Sequence, residues 1–298
     1  MKVTKPVHHT MATTPVASPS VIVVSVCSLK GGVGKTSMVL GIASAALARG
    51  VPTLVVDLDP QADATLGLDV TADVRSDVAT VLSAPRRNAV TTTVVPSGWA
   101  PARGALDVLP GSGDIAALDR PSGSERTLAR LSQAIQSLES SYRLVLVDCP
   151  PSLGAITRSG MGASHRAIVI TEPALFSVTA ADRALHAVDD VRRTSAPHLQ
   201  PLGVLVNRYR ERSPEHRYRL QELSEMFGPL VLSPAIRERS ALQQAQGASQ
   251  PIHRWPGAPA AELAAGFDAH LARILRVNQR GPRGRSAPMA RSASPAPA

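Results

Sequence analysis

The stretch from Val21 to Ser37 restricts the fold of this chain more than any other. Residues 21–27 are mostly β-branched and apolar, which predicts a strand buried on both faces, and the glycine-rich sequence KGGVGKTS follows. Residues 38–48 favour a helix. This order of strand, glycine-rich loop and helix is typical of a polyphosphate-binding site. The N–H groups of the loop and of the helix N-terminus both point at the bound anion.

Two side chains of this loop have the chemistry of a phosphate and metal site. We expect Lys35 to reach the β- and γ-phosphates of a nucleotide and the Thr36 hydroxyl to take a Mg²⁺ position. The loop as a whole is predicted to bind the nucleotide, with contacts from Gly31, Gly32, Val33, Gly34, Lys35, Thr36 and Ser37.

Two further predicted strands end in aspartates. The run 52–61 is predicted as a strand that ends in Asp57 and Asp59, and residues 142–148 close on Asp148. In open α/β sheets, ligands bind beyond the carboxyl ends of the parallel strands. We therefore expect Asp148 beside the loop as the carboxylate that holds a Mg²⁺-bound water. A solvated pair of strand-end acids is the alternative for Asp57 and Asp59.

The alternation of strands and helices along the chain predicts the fold class. Further strands are expected at 105–109, 167–171 and 202–206, and helices at 125–140 and 177–194. This order favours right-handed crossovers and a parallel sheet. The sequence thus predicts an α/β fold, a three-layer, doubly wound and mostly parallel sheet with helices on both faces.

Composition divides the chain into three parts and limits its class. Residues 1–20 and 278–298 lack a hydrophobic period, and we expect a disordered N-terminal extension and a basic disordered tail around one domain at 21–277. No apolar run approaches a membrane span and the N-terminus lacks the layout of a signal peptide, so we expect a cytoplasmic protein. The formal net charge of +9 favours an anionic partner, nucleic acid ahead of a membrane, although a solvated basic surface is the alternative.

The loop departs from the usual phosphate-loop pattern at one informative position. Where that pattern has a glycine this chain has Leu29, and a second lysine, Lys30, follows. The sequence KGGVGKT resembles the deviant Walker A motif of the ParA/MinD family of P-loop ATPases, in which the early lysine is the signature. Residues 57–67 and 144–154 resemble the second motif of this family and its Walker B strand with the following turn.

The resemblance implies ATP and Mg²⁺ as ligands and a homodimer in the ATP-bound state. Lys30 of one subunit would reach the phosphates bound by the other and act in catalysis together with Lys35. Asp57 would lie near Mg²⁺, and Asp59 would help position the water that attacks the γ-phosphate. Asn207, at the end of a predicted strand, would contact the adenine; a cap of the strand-end turn is the alternative.

The resemblance also implies partners and a function. ATP-bound dimers of this family bind DNA without sequence preference, and a DNA-bound protein of ParB type stimulates hydrolysis. The implied function is an ATP-dependent DNA-segregation ATPase for plasmid or chromosome partition, cytoplasmic and associated with the nucleoid. Arg237 and Arg239 align loosely with a family segment that helps contact DNA; ion pairs on a solvated helix face are the alternative.

A second hypothesis is a MinD-like positioning ATPase that acts on a membrane or a polar protein scaffold. Members of that kind end in an amphipathic membrane-targeting helix, and residues 260–277 are amphipathic. We expect this helix to pack against the sheet instead, because it carries Glu262 and Asp268 and is not terminal. A nucleotide-dependent adaptor with little turnover is a third hypothesis.

Overall fold

The computed structural model describes residues 21–70, 74, 76–100, 102–119, 125–138 and 141–279, with the side chains of 125–128 and 278–279 excepted. The predicted N-terminal extension and the tail beyond residue 279 lie outside the described residues.

The strands of the described residues form one eight-stranded sheet in the order β3-β4-β2-β5-β1-β6-β7-β8. Every neighbouring pair is parallel except β3 and β4, which are antiparallel. The strand bounds are β1 Ile22–Cys27, β2 Thr53–Asp57, β3 Val95–Pro96, β4 Leu106–Leu109, β5 Leu144–Asp148, β6 Arg166–Thr171, β7 Gln200–Val206 and β8 Val231–Leu232.

The helices cover both faces of this sheet. Their bounds are α1 Lys35–Ala48, α2 Asp63–Gly67, α3 Val78–Ser83, α4 Arg87–Thr93, α5 Glu125–Gln136, α6 Ala155–Gly162, α7 Ser177–Thr194, α8 Pro214–Phe227, α9 Ser240–Gly247 and α10 Ala258–Gln279. Short 3₁₀ turns lie at Gly113–Leu118, Gly228–Leu230 and Ile252–Arg254.

Two buried apolar layers form because the side chains of each strand alternate between the faces of the sheet. In β1, Val23 points into a layer with α5, α6, α7 and α8, while Val24 and Val26 point into a layer with α1 and α10. The predicted fold class, a three-layer and mostly parallel α/β sheet, is confirmed.

The long helix α10 packs mainly on α1, in the buried layer on one face of the sheet, where the sequence predicts packing against the sheet itself. Phe267 is fully buried against Gly41, and Asp268 accepts a hydrogen bond from Arg49 at 2.8 Å. The apolar side chains of α10 that could face a membrane are therefore covered by the domain itself: Leu263, Phe267, Leu271 and Ile274. Among the described residues, no helix combines the length and apolar character that a membrane crossing demands.

The contact between α1 and α10 generates a stability prediction. A Cβ atom at Gly41 would overlap the ring of Phe267, whereas a Cβ at Gly162, at the end of α6, would meet nothing within 4 Å. We expect Gly41→Ala to lower the free energy of unfolding by about 1–3 kcal/mol, because overpacking outweighs the gain in helix propensity. Denaturant unfolding measures this change.

The matched control is Gly162→Ala, which should be neutral or stabilising by up to ~1 kcal/mol. Adding Phe267→Leu to Gly41→Ala should recover part of the loss, because the smaller side chain leaves room for the new methyl group. Equal stability of the two single variants would contradict this description of the helix contact.

Candidate nucleotide-binding site

The glycine-rich loop connects the end of β1 to the start of α1 at the carboxyl edge of the sheet. Gly32 and Gly34 have φ angles of 75° and 88°, a region that favours glycine. Gly34 is the N-cap of α1, and no side chain of the described residues caps this helix. The first N–H groups of α1 are thus available to an anion.

The predicted nucleotide-binding residues differ in their exposure. The buried ones are Val33 and Lys35, and the accessible ones are Gly31, Gly32, Gly34, Thr36 and Ser37. Within the described residues, the side chain of Lys35 makes no hydrogen bond and no ion pair within 4 Å, although only 6% of the residue is exposed. The Asp148 carboxylate is near enough to feel its charge but does not bind it directly, which fits a ligand that brings its own negative charge.

Thr36 and Asp148 form the centre of the site. The Thr36 hydroxyl donates a hydrogen bond of 2.7 Å to Oδ2 of Asp148, which is fully buried at the end of β5. The second oxygen, Oδ1, accepts no hydrogen bond in the described part of the chain. Burial and the neighbouring Asp57 raise the pKa of Asp148 well above its usual value, against the opposing effects of the Thr36 hydrogen bond and the Lys35 charge.

A hydroxyl and a carboxylate with a free oxygen fit a Mg²⁺ ion that keeps water ligands and also binds phosphate oxygens. The described residues contain no cluster of three or more acidic, histidine or cysteine side chains that could hold a metal by itself. Thr36 and Asp148 therefore suit an ion that arrives with a polyphosphate rather than one in a cage built by the protein.

Asp57 lies beside Asp148 but has other partners. The two residues are paired in register on neighbouring strands β2 and β5. Oδ2 of Asp57 accepts hydrogen bonds from the Thr65 N–H at 2.8 Å and the Thr65 hydroxyl at 2.7 Å, and Oδ1 accepts from the Asp59 N–H at 3.2 Å. Burial raises its pKa to about 6, while the bonds from Thr65 lower it. Asp57 thus braces the segment after β2, and its placement near Mg²⁺ stays a prediction.

Asp59 is half-buried at the same edge. Its carboxylate accepts a hydrogen bond of 3.0 Å from the Gln61 N–H, a local bond of the turn that follows β2. This bond occupies one of its oxygens and leaves capacity for a water molecule. The role of Asp59 toward an attacking water remains a prediction.

Lys30 lies at the exposed mouth of the loop, with 60% of its side chain accessible. Its Nζ is 3.5 Å from Oε2 of Glu172, the first residue after β6. Arg208 approaches the other oxygen of Glu172, with Nη1 at 2.6 Å from Oε1. The two lysines of the loop thus lie in opposite environments, one buried and one exposed.

Asn207 braces the loop. Its side-chain amide donates a hydrogen bond of 2.8 Å to the carbonyl of Val33, and a Cβ atom at Gly34 would overlap this amide. A cavity of about 250 Å³ lies next to Arg208, the residue that follows Asn207, and it is lined by Glu172, Pro173, Ala174, Arg208, Arg210, His216 and Glu238. The adenine contact of Asn207 stays a prediction.

Arg237 and Arg239 are ion-paired within the chain. Arg237 lies 2.8 Å from both Glu211 and Glu262, and Arg239 lies 2.8 Å from Glu262. About a third of each arginine side chain is exposed. Such ion pairs are the alternative to DNA contact that the sequence allows for these two arginines. Their contact with DNA stays a prediction.

The segment that carries these arginines is connected to the loop. The Ser37 hydroxyl donates a hydrogen bond of 3.2 Å to Oε1 of Gln246 in α9, and the Ile236 N–H donates to the Val206 carbonyl at 2.8 Å. The residues after β8 therefore touch both α1 and the end of β7.

Sequence reasoning missed four of these contacts, those of Thr65, Gly111, Glu172 and Gln246. Gly111 donates its N–H to the Thr65 hydroxyl at 2.9 Å and packs against Asp57, where a Cβ would collide. For Glu172 the sequence does carry a signal, an acidic residue directly after the predicted strand at 167–171, as for Asp148. Gln246 offers none, since its partner Ser37 is 209 positions away in the chain, whereas Thr65 lies eight positions after Asp57 in the segment 57–67.

This site defines the class of the protein. A glycine-rich loop between β1 and α1, a buried lysine, and a threonine bonded to the aspartate at the end of β5 are the features of a P-loop nucleoside triphosphatase. The lysine at the mouth of the loop distinguishes the deviant form of that motif.

Comparison with known proteins narrows the class of the chain to a family. A family model described as "AAA domain" matches residues 21–201. An uncharacterized protein of Mycobacterium tuberculosis is 31% identical over 247 residues, 81% of this chain and 75% of that protein. The chromosome partitioning protein ParA of Caulobacter vibrioides is 27% identical over 236 residues, 77% of this chain and 85% of that protein.

Among solved structures, cobyrinic acid a,c-diamide synthase from Mycobacterium smegmatis, crystallised with ADP and magnesium, superposes with a TM-score of 0.72. It is 26% identical, and the match covers 88% of this chain and 97% of that one. The chain belongs to the AAA domain family, and within it to the ParA/MinD group of partition and positioning ATPases.

The buried carboxylate of Asp148 generates a prediction for the nucleotide-free protein. In Asp148→Asn the amide oxygen can still accept from Thr36, and the amide nitrogen replaces an oxygen that has no partner among the described residues. We expect the variant to be more stable at pH 8 by about 1–2 kcal/mol, which corresponds to a rise in Tm of roughly 3–6 °C.

This gain should shrink as the pH falls. Because the folded-state pKa of Asp148 lies above its ordinary value of 3.8, the wild type becomes more stable relative to the variant as its carboxyl group takes up a proton. The Tm difference should vanish toward pH 4. Asp182→Asn, at an exposed carboxylate of α7, is the control and should change Tm little. A difference that is independent of pH would contradict the assignment.

Proposed function

We propose that the chain is an ATP-dependent DNA-segregation ATPase, a homodimer in the ATP-bound state that binds DNA without sequence preference and is stimulated by a ParB-like partner. The observation that carries the proposal is the pair of loop lysines, Lys35 buried beside Asp148 and Lys30 exposed at the mouth. The buried lysine suits phosphates bound by its own chain, and the exposed one is accessible to a second subunit.

ATP and Mg²⁺ are the proposed ligands. The N–H groups at the start of α1 and the Lys35 ammonium would hold the phosphates, and Thr36 with the free oxygen of Asp148 would hold Mg²⁺. When bound, the ion neutralises charge on the phosphates. Asn207 and the cavity next to Arg208 would receive the adenine.

In the proposed hydrolysis step, water attacks the γ-phosphate and ADP leaves. Asp59, at the carboxyl edge with one oxygen uncommitted, would orient this water. Lys35 and the Lys30 of a second subunit would stabilise the charge that spreads over the transferred phosphoryl group. Loss of the γ-phosphate then removes the charge that holds the second subunit. Hydrolysis of the nucleotide thus sets the lifetime of the dimer.

Exposed apolar side chains support a second copy at this edge. Leu66 follows β2, and Leu175 and Phe176 follow β6, so the three flank the loop on either side at the carboxyl edge of the sheet. Between 60% and 77% of each is exposed. Large apolar side chains so exposed are typical of surfaces that a partner covers.

The basic charge supports DNA as a partner. Arg237 and Arg239 lie on an accessible segment that is bonded to the loop helix through Gln246. Six basic residues and no acidic ones lie in the two end segments, namely Lys2, Lys5, Arg280, Arg283, Arg285 and Arg291. Charge of this kind binds nucleic acid through its phosphates, without regard to sequence.

The test is retardation of duplex DNA by purified protein with ATP, ADP or no nucleotide. We expect retardation only with ATP, independent of DNA sequence, and weakened by a factor on the order of 10³ or more between roughly 50 and 200 mM salt. Lys35→Ala should abolish it. Lys5→Ala removes the same charge outside the loop and should keep the dependence on ATP.

Equal retardation without nucleotide, or retardation that resists salt, would contradict the proposal. No retardation under any condition would favour the positioning ATPase acting on a protein scaffold. The covered apolar face of α10 argues against the membrane form of that alternative, because Leu263, Phe267 and Ile274 are buried in the domain.

A further inference from the structure

We propose that Glu172 is a positioning residue that retains Lys30 on its own subunit until an ATP-bound partner competes for it. The proposal rests on the proposed function, since it concerns the lysine that would act across the dimer. It adds a residue that lies in none of the sequence motifs, although it lines the cavity near Asn207, and that sets how readily the dimer forms.

The Glu172 side chain is more enclosed than that of Lys30. Glu172 directly follows β6, and its carbonyl accepts hydrogen bonds from the Ala174 N–H and the Ser177 hydroxyl. Only 18% of its side chain is exposed, against 60% for Lys30. The ion pair therefore draws Lys30 to the loop between β6 and α7, on its own subunit.

Two cations share this one carboxylate. Arg208 binds one oxygen at 2.6 Å, whereas Lys30 lies at 3.5 Å from the other. The contact of Lys30 is longer and more exposed than that of Arg208, and it is therefore the weaker of the two. Solvent screens it, and the lysine side chain loses conformational entropy when it forms. When Lys30 leaves, Arg208 still binds the Glu172 carboxylate, so the release of Lys30 does not leave this carboxylate without a cation.

Release of Lys30 is then a competition between anions. Two anions compete for the Lys30 ammonium. One is the Glu172 carboxylate, which already binds Arg208, and the other is the polyphosphate on the facing subunit, which carries several negative charges. The polyphosphate wins when ATP is bound and loses when the γ-phosphate is gone. Glu172 thus raises the ATP concentration at which the dimer forms, and it recaptures Lys30 after hydrolysis.

The test compares Glu172→Gln with wild type by light scattering of the full chain, titrated with a non-hydrolysable ATP analogue and Mg²⁺. We expect the analogue concentration at half-dimerisation to fall about two- to fivefold, the range for an exposed ion pair. Asp190→Asn is the matched control, because it breaks the exposed Arg158–Asp190 pair between α6 and α7 with the same change of charge. Its midpoint should equal that of wild type.

Ionic strength supplies a second readout. The ratio between the wild-type and Glu172→Gln midpoints should approach one at about 1 M salt, since the ion pair is screened there. If Glu172→Gln fails to fold, Glu172→Asp is used. It keeps the charge, withdraws the carboxylate by one methylene, and should lower the midpoint by a smaller factor.

The outcomes separate this inference from the proposed function. A wild type that dimerises with the analogue, and a Glu172→Gln midpoint equal to or above that of the control, would overturn the role of Glu172 alone. A wild type that stays monomeric at saturating analogue would overturn the proposed dimer and this inference together.

Discussion

The hydrogen bond between Thr36 and Asp148 is the contact on which the rest of the site depends. It connects the first turn of α1 to the end of β5 and fixes the glycine-rich loop over the carboxyl edge of the sheet. A fully buried carboxylate with one oxygen that has no partner in the described ranges costs stability. Residues held at such a cost are typical of functional sites, where a ligand provides the missing interaction.

Other polar side chains position this pair. Asp57 lies next to Asp148 in the sheet and binds Thr65, which in turn accepts a hydrogen bond from Gly111. On the other side of the loop, Asn207 bonds to Val33 and fills the space above Gly34. The loop is therefore bonded to the end of β5 through Thr36 and to the residue after β7 through Val33.

The sequence predicts the parts of the site that are local in the chain. The glycine-rich loop, the helix after it and the strand-end acids depend on neighbouring residues, and the structure brings Lys35, Thr36 and Asp148 together as expected. The partners of Asn207 and Lys30 depend instead on which strands become neighbours in the sheet. Lys30 and Glu172, for example, are 142 positions apart. Periodicity gives the strands but not their order, and so it could not give these contacts.

The most direct test of this account is calorimetry of ATP binding with Mg²⁺ and with EDTA, in wild type, Thr36→Ser and Thr36→Ala. The account predicts that Mg²⁺ tightens ATP binding at least about tenfold in wild type and in Thr36→Ser, which keeps the hydroxyl. In Thr36→Ala, which lacks it, most of this gain should be lost. Equal affinity with and without Mg²⁺ in wild type, or a full Mg²⁺ gain in Thr36→Ala, would contradict the account.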